Sequence, residues 1–212
     1  MSTFPSETCE KVQDGYIAQP YSAFINILIC IILLYFIKKT KNKYGFAFLL
    51  SFFVFQVLHT MSHIKHLNNN IQTTLVHIMA IITNIVFLCF YFHIYGKINV
   101  DLLSWIILIL LIDIYMFITK YPLLYTIFTQ ILIFVIILLQ FYNILHQTKK
   151  ELLEILIILS IVIFSLLLNE KQNGERLLHK YPDFPFHIAI EITGLGLIYV
   201  MCMIFYDLSS SM

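Results

Sequence analysis

Seven long apolar runs, separated by short polar segments, take up most of this 212-residue chain. A membrane-spanning helix needs about 20 mostly apolar residues, and lipid cannot satisfy the hydrogen bonds of an open backbone. Each run is therefore predicted to form one transmembrane helix. The runs cover residues 21–37, 44–63, 73–95, 102–119, 123–145, 152–168 and 186–206.

The composition argues against a sizeable soluble domain. Only 12% of the residues are charged, whereas a typical soluble domain has about 25%. Too few polar side chains remain to coat a water-facing surface, and the net charge of +1 gives no indication of a nucleic-acid partner. We therefore predict an all-α, polytopic membrane protein in which residues 1–212 form a single seven-transmembrane helix bundle.

The distribution of lysines predicts the orientation of this bundle. An odd number of crossings puts the two termini on opposite sides of the membrane. The short loop after the first run holds Lys38, Lys39, Lys41 and Lys43, and short lysine-rich loops are typically cytosolic. We expect the N-terminal segment, residues 1–20, to be lumenal or external and the C-terminus to be cytosolic. The expected location is an endomembrane (ER or Golgi) or the plasma membrane.

Histidines gather at one end of the predicted bundle. Three lie at the end of the second run, a fourth near the start of the third, and a fifth, with a glutamate, at the start of the seventh. In the predicted topology all of these helix ends lie on the N-terminal side of the membrane. Ionisable side chains are rare inside spans and are often functional there. The six candidate metal ligands are His59, His63, His66, His77, His187 and Glu191.

The spacing of these residues suits a metal site. His59 and His63 are four residues apart, as are His187 and Glu191, and residues four apart share a helix face. Such a pair, joined by a ligand from another helix, can hold a catalytic zinc with one position left for water. Histidine and carboxylate suit iron equally well. The alternative interpretation is that these histidines are hydrated and structural at the membrane interface.

Three segments resemble the alkaline ceramidases and the related adiponectin and progestin receptors. Cys9-Glu10, residues 16–22 (Tyr-Ile-Ala-Gln-Pro-Tyr-Ser) and Asn26 are similar to the entry of the first ceramidase helix, where the family has Glu in place of Gln19. Leu58-His59-Thr60 resembles the Phe-His-Thr that ends the second helix of the receptors. His187-x-x-x-Glu191 with Thr-Gly-Leu-Gly at 193–196 resembles the last ceramidase helix, where the family has His in place of Glu191.

The resemblance implies a zinc-dependent hydrolase that cleaves the amide bond of a ceramide-like membrane lipid. Its metal would lie between the second, third and seventh helices. His59, His187 and Glu191 would be the first ligands, with His63, His66 or His77 as further ligands. His63 or His77 would act as a general base. Ser62 would match the serine of the family if His66 were the ligand of the second helix.

The resemblance also implies a calcium site near Glu7 and Glu10. Three other functions stay open. The chain could be a non-catalytic receptor-like or membrane-remodelling relative with the same fold. It could be an iron-dependent lipid hydroxylase, although the sequence has none of the adjacent histidine pairs of those enzymes. It could also be a haem protein ligated by paired histidines.

Overall fold

The computed structural model describes residues 10, 13–14, 16–64, 69–96, 100–118, 123–143, 145–181 and 184–210. A helix forms in each of the seven predicted apolar runs, although the fifth helix ends at Gln140, five residues before its predicted limit. The described residues contain no strand, so the all-α prediction is confirmed. The helices are α1 (Pro20–Lys39), α2 (Lys43–Ile64), α3 (Asn69–Tyr95), α4 (Val100–Ile118), α5 (Leu123–Gln140), α6 (Gln147–Lys180) and α7 (Ile188–Ser210).

Five of these helices are long and apolar enough to cross a membrane. Among the described residues they are α1, α2, α6, most of α3 (residues 74–94) and α7 up to Ser209. Several apolar helices of this length in one chain are typical of a multi-pass membrane protein. The crossings of α4 and α5, which have 19 and 18 residues, stay a prediction.

The sixth helix is twice as long as the sequence predicted. The predicted run covers residues 152–168, whereas the helix begins at Gln147 and continues to Lys180, which gives it 34 residues. At 1.5 Å per residue it is about 50 Å long, whereas the hydrocarbon core is about 30 Å thick. The placement of residues 169–180 in a loop was therefore wrong. The reason is that this polar stretch is rich in good helix formers and holds neither proline nor any other strong helix breaker before Gly174.

The helices close into a bundle in which α1 packs against both α2 and α7. Helix α2 packs against α1 and α3, whereas α7 packs against α6, α1 and α2. Phenylalanines fill the half of this interior that contains the start of α2 and the end of α7. The ring centroids of Phe48 and Phe87 are 4.5 Å apart, and those of Phe90 and Phe205 are 4.3 Å apart. The polar residues described below occupy the other half.

Helix α7 also packs against α6 beside the cavity. A Cβ atom added to Gly194 would lie 3.7 Å from Ile163 Cδ1, and one added to Gly196 would lie 3.7 Å from Leu159 Cδ1, which is ordinary van der Waals contact. Both glycines therefore face α6, and α6 leaves room for a methyl group at each position. His187, just before α7, also contacts Glu170 of α6.

Candidate metal centre

One face of α2 changes from phenylalanine to histidine along its length. Phe48, Phe52, Phe55, His59 and His63 follow one another at spacings of four, three, four and four residues, which keeps them on one face of the helix. The three phenylalanines and His63 are buried, and His59 is partly buried. The face of α2 that packs in the core of the bundle therefore ends in two imidazoles.

The start of α7 points a second pair of polar side chains at α2. After Pro185 the chain turns, and the Ile188 N–H donates to the Pro185 carbonyl at 3.0 Å. The Glu191 N–H then donates to the His187 carbonyl at 3.2 Å, which places the two side chains one turn apart. His187 is 8% exposed and Glu191 is 5% exposed, so both are held inside the bundle.

Two histidines of α2 and the glutamate of α7 form a three-residue cluster. One ligand atom from each of His59, His63 and Glu191 lies within 4.8 Å of the others. His63 Nε2 is 3.4 Å from His59 Nε2 and 3.5 Å from Glu191 Oε1. Two imidazoles and a carboxylate at this separation could hold one metal ion. The sequence predicted all three as ligands.

His187 lies beside this cluster and binds two carboxylates. Its Nε2 donates to Glu191 Oε1 at 3.1 Å, and its Nδ1 lies 2.9 and 3.0 Å from the two carboxylate oxygens of Glu170. His187 precedes the first residue of α7. Burial disfavours its charged form, but the hydrogen bonds and charges of Glu170 and Glu191 outweigh burial and raise the pKa of His187 to about 10.

Glu170 is a site residue that the sequence analysis missed. It lies three residues beyond Leu167 and seven beyond Ile163, and both of these are buried on α6. The sequence signal was the helical spacing, which places Glu170 on the same face of α6 as Ile163 and Leu167. The signal was overlooked because the apolar run ends at residue 168, two residues earlier.

Two other predicted site residues in the described part of the chain, His77 and Ser62, do not join the cluster. His77 is buried in α3 and is not one of the three clustered residues. Ser62 is also buried, and its hydroxyl donates to the backbone carbonyl of His59 at 2.5 Å. His66 and Glu7 lie outside the described residues.

Glu10, predicted near a calcium site, makes hydrogen bonds to the start of α1. Its carboxylate accepts from the Tyr21 N–H at 2.9 Å, from the Ser22 N–H at 3.1 Å and from the Ser22 hydroxyl. Within the described part of the chain, no group of three metal-ligating side chains includes Glu10. Its carboxylate serves the first turn of α1, and the calcium site stays a prediction.

A cavity of about 110 Å³ opens beside the cluster. His59, His187 and Glu191 line one part of it. A hydrogen bond between Gln56 and Asn26 adds a second polar group to its wall. The remainder of the wall is mostly aliphatic and aromatic, with residues from five helices: Ile29, Phe52, Phe55, Ile131, Phe134, Ile163, Leu167, Ile190, Gly194, Leu197 and Ile198.

Comparisons with profiles of protein families, with characterised proteins and with solved structures give no significant match. The chemistry of the cluster and the cavity, together with the resemblance of the three sequence segments, is therefore the basis for proposing a function. Donors that suit a divalent metal adjoin a mostly apolar cavity inside a helical bundle. A water and a polar group on an otherwise apolar molecule could meet there.

Proposed function

We propose that this protein is a zinc-dependent intramembrane hydrolase that cleaves the amide bond of a ceramide-like lipid. The observation that carries the proposal is the cluster of His59, His63 and Glu191, whose ligand atoms lie within 4.8 Å of one another. Burial of such groups in an apolar bundle is costly, and sites of this kind in membrane proteins are commonly functional. The resemblance of the sequence to the alkaline ceramidases gives the reaction.

The donor set fits zinc. Two histidine nitrogens and one carboxylate form a known set of protein ligands for catalytic zinc, and this set leaves a fourth position for water or substrate. His59 Nε2, His63 Nε2 and a Glu191 oxygen would hold the ion. When bound, zinc supplies Lewis-acid polarisation of the amide carbonyl and activation of water.

His187 and Glu170 are placed to hold and donate a proton beside the cluster. Glu170 accepts from His187 Nδ1 and fixes the ring, so that Nε2 faces Glu191 and the cavity. Its hydrogen bonds to the two carboxylates favour the protonated form of His187 and raise its pKa. Amide cleavage needs a proton for the departing amine, and His187 Nε2 is the group in the cavity wall that would donate it.

The lining of the cavity favours a lipid substrate. Its wall is mostly aliphatic and aromatic, and the polar groups collect around His59, His187 and Glu191. Ligand sites of this composition hold apolar molecules and orient them through a few polar contacts. A ceramide-like lipid joins long apolar chains to an amide. The amide would lie at the cluster and the adjoining part of the chains along Phe52 and Phe134, because a cavity of about 110 Å³ holds only this part of the molecule.

The proposed orientation follows from the same arrangement. The cluster lies at the end of α2 and the start of α7, on the same side of the bundle as the N-terminal segment. The lysine-rich loop between α1 and α2 lies on the other side. We place that loop in the cytosol, with the N-terminal segment and the cluster on the lumenal or external side of an ER, Golgi or plasma membrane.

One observation favours the alternative of a non-catalytic relative. The polar groups of the site satisfy one another, because His187 binds both Glu170 and Glu191, and His63 lies near Glu191. Such a network can stabilise a membrane bundle through interhelical hydrogen bonds alone. A purely structural network would contain no stoichiometric metal, whereas a metal site would, so a metal analysis distinguishes the two.

The first experiment measures bound metal in detergent-purified protein by mass spectrometry. The wild type is compared with a His63→Ala/Glu191→Ala double variant and with a His146→Ala control, because His146 is exposed and is not in the cluster. About one zinc per chain in the wild type and the control, absent from the double variant, supports the proposal. Turnover of a fluorescent ceramide is then measured for the same three proteins.

Other outcomes would overturn the proposal. About two irons per chain would support a lipid oxygenase. No stoichiometric metal in folded wild-type protein would support the structural network. Zinc without ceramide turnover, across a panel of acyl chain lengths and amide lipids, would leave a metal site but refute the amidase activity.

A further inference from the structure

The residue before α1 makes a hydrogen bond to one of the clustered histidines. Gln19 Oε1 lies 2.7 Å from His63 Nδ1, and both residues are buried, with 0% and 1% of their surface exposed. Gln19 lies at the N-terminal boundary of α1, yet its side chain makes no capping hydrogen bond to that helix. The side chain is directed at α2 instead.

A second contact fixes which way round the Gln19 amide lies. Its Nε2 donates to the backbone carbonyl of Glu10 at 3.3 Å. A carbonyl oxygen only accepts, so the amide nitrogen must face Glu10 and the amide oxygen must face His63. The oxygen can only accept as well, so His63 Nδ1 carries a proton. When the ring is neutral, Nε2 is then the unprotonated nitrogen.

This tautomer presents a lone pair to the cluster. His63 Nε2 is the atom that lies 3.4 Å from His59 Nε2 and 3.5 Å from Glu191 Oε1. An unprotonated nitrogen and a carboxylate oxygen are both acceptors, and a cation between them would satisfy both. Histidines that bind metals commonly donate their other nitrogen to a fixed acceptor, which sets the tautomer and the ring orientation.

The backbone of the same segment holds Gln19 against the end of α2. The Gln19 N–H donates to the His63 carbonyl at 2.9 Å, and the Ala18 N–H donates to the Ile64 carbonyl at 3.2 Å. These are carbonyls that the end of a helix leaves without an intrahelical partner. The N-terminal segment therefore satisfies the end of α2 and positions Gln19 at the same time.

Glu10 leaves the Gln19 side chain available for His63. The first turn of α1 needs acceptors for its N–H groups, and the Glu10 carboxylate accepts from Tyr21 and Ser22. Gln19 is therefore not needed as the cap of α1. Its amide binds the ring of His63 on one side and the Glu10 backbone on the other.

We propose that Gln19, held by Glu10, is the positioning residue that fixes the Nδ1-protonated tautomer of His63 and thereby turns its Nε2 toward a metal bound with His59 and Glu191. The tautomer follows from the hydrogen bonds alone, whereas the effect on metal affinity rests on the proposed function. Replacement of such a partner typically weakens metal binding about 10–100-fold.

The test compares Gln19→Leu, Gln19→Glu and Thr83→Val with the wild type in detergent. Leucine removes both the acceptor for His63 and the donor to Glu10, whereas glutamate keeps the acceptor and loses only the donor. Thr83→Val removes a buried hydroxyl of α3 that bonds within its own helix to the Met79 carbonyl. Zinc affinity is measured by competition with a chelating dye. We expect Gln19→Leu to bind zinc about 10–100-fold more weakly and the other two variants to bind at least as tightly as the wild type.

The tautomer is read separately, by nitrogen-15 NMR of labelled histidine in metal-free protein at pH 8. His63 is assigned with a His63→Gln variant. We expect the Nδ1-protonated form in the wild type and in Gln19→Glu, and its loss in Gln19→Leu. If Gln19→Leu does not fold, Gln19→Glu decides. Loss of zinc binding or of the Nδ1-protonated form in folded Gln19→Glu would overturn the inference.

The two measurements separate this inference from the proposed function. A wild type that binds no zinc but holds His63 in the Nδ1-protonated form would refute the hydrolase and leave the tautomer control by Gln19 standing. A wild type that binds zinc while Gln19→Leu binds equally tightly, with the same tautomer, would refute the role of Gln19 and leave the metal site standing.

Discussion

Removal of the charge on Glu170 should destabilise the protein and change how its stability depends on pH. In Glu170→Gln, His187 loses one of the two carboxylates that bind it. Loss of one partner from a buried ion pair costs about 3–5 kcal/mol, and a hydrogen bond to a charged group contributes about 1.5–3 kcal/mol. Glu170 is 14% exposed at its side chain, and glutamine keeps an acceptor oxygen. We therefore expect the free energy of unfolding to fall by about 2 kcal/mol.

The sign of the pH dependence follows from the raised pKa of His187. In the unfolded chain the pKa is near 6.5, and in the folded protein it is about 10. The stabilisation by protonated His187 is therefore complete below pH 6.5 and is lost as the pH rises toward 10. The wild type should lose stability over this range. The variant, in which only Glu191 favours the proton, should lose less.

The assay is thermal unfolding in mild detergent after treatment with a chelator, at pH 7 and at pH 10. For a chain of this size, about 2 kcal/mol corresponds to a fall in Tm of about 4–8 °C at pH 7. The difference between wild type and variant should shrink at pH 10. Glu175→Gln is the control, because Glu175 is exposed on the same helix, and exposed substitutions change stability by less than about 0.5 kcal/mol.

The reasoning would be refuted if Glu170→Gln and Glu175→Gln had the same Tm at pH 7. It would also be refuted if the wild type gained stability between pH 6.5 and pH 10. Either result would show that Glu170 does not hold a charged His187.

Three further predictions test the packing and the membrane placement. Gly45→Val should lower the free energy of unfolding by about 1–3 kcal/mol in denaturant titration, because a Cβ at Gly45 would lie 3.3 Å from the Phe205 ring; an unchanged midpoint would contradict this contact. Asn84→Leu should raise the Tm, because both amide atoms of Asn84 are buried without a hydrogen-bond partner among the described residues; a lower Tm would indicate a partner. With the four native cysteines replaced by serine, a membrane-impermeant maleimide should label Glu175→Cys but not Ile161→Cys, because α6 is about 20 Å longer than the hydrocarbon core; equal labelling would refute a projecting α6.

The sequence predicted the positions of the helices well because the signal is local. Hydrocarbon requires about 20 apolar residues in a row, and α1, α2 and α7 begin and end within a few residues of the predicted limits. The prediction failed at the end of α6, where the chain leaves the apolar run but stays helical to Lys180. Apolarity marks where a helix meets lipid, and it does not mark where the helix ends.

The candidate site was predictable in part for the same reason. His59 and His63 share a face of α2, and His187 and Glu191 are one turn apart, because four-residue spacing is a local property of a helix. The sequence also placed both pairs at one end of the bundle. It left open which of the six candidates come together, since that depends on the distance and rotation of α7 relative to α2.

By itself, then, the sequence determined an all-α chain of apolar helices with its histidines at one end, because length, apolarity and spacing act within a single helix. Only the tertiary structure decided that His63 and Glu191 face each other across α2 and α7. It also decided that Gln19 and Glu170, distant in the chain from the residues they contact, bind the histidines. Contacts between helices depend on how whole helix faces pack, and no local pattern in the sequence records that packing.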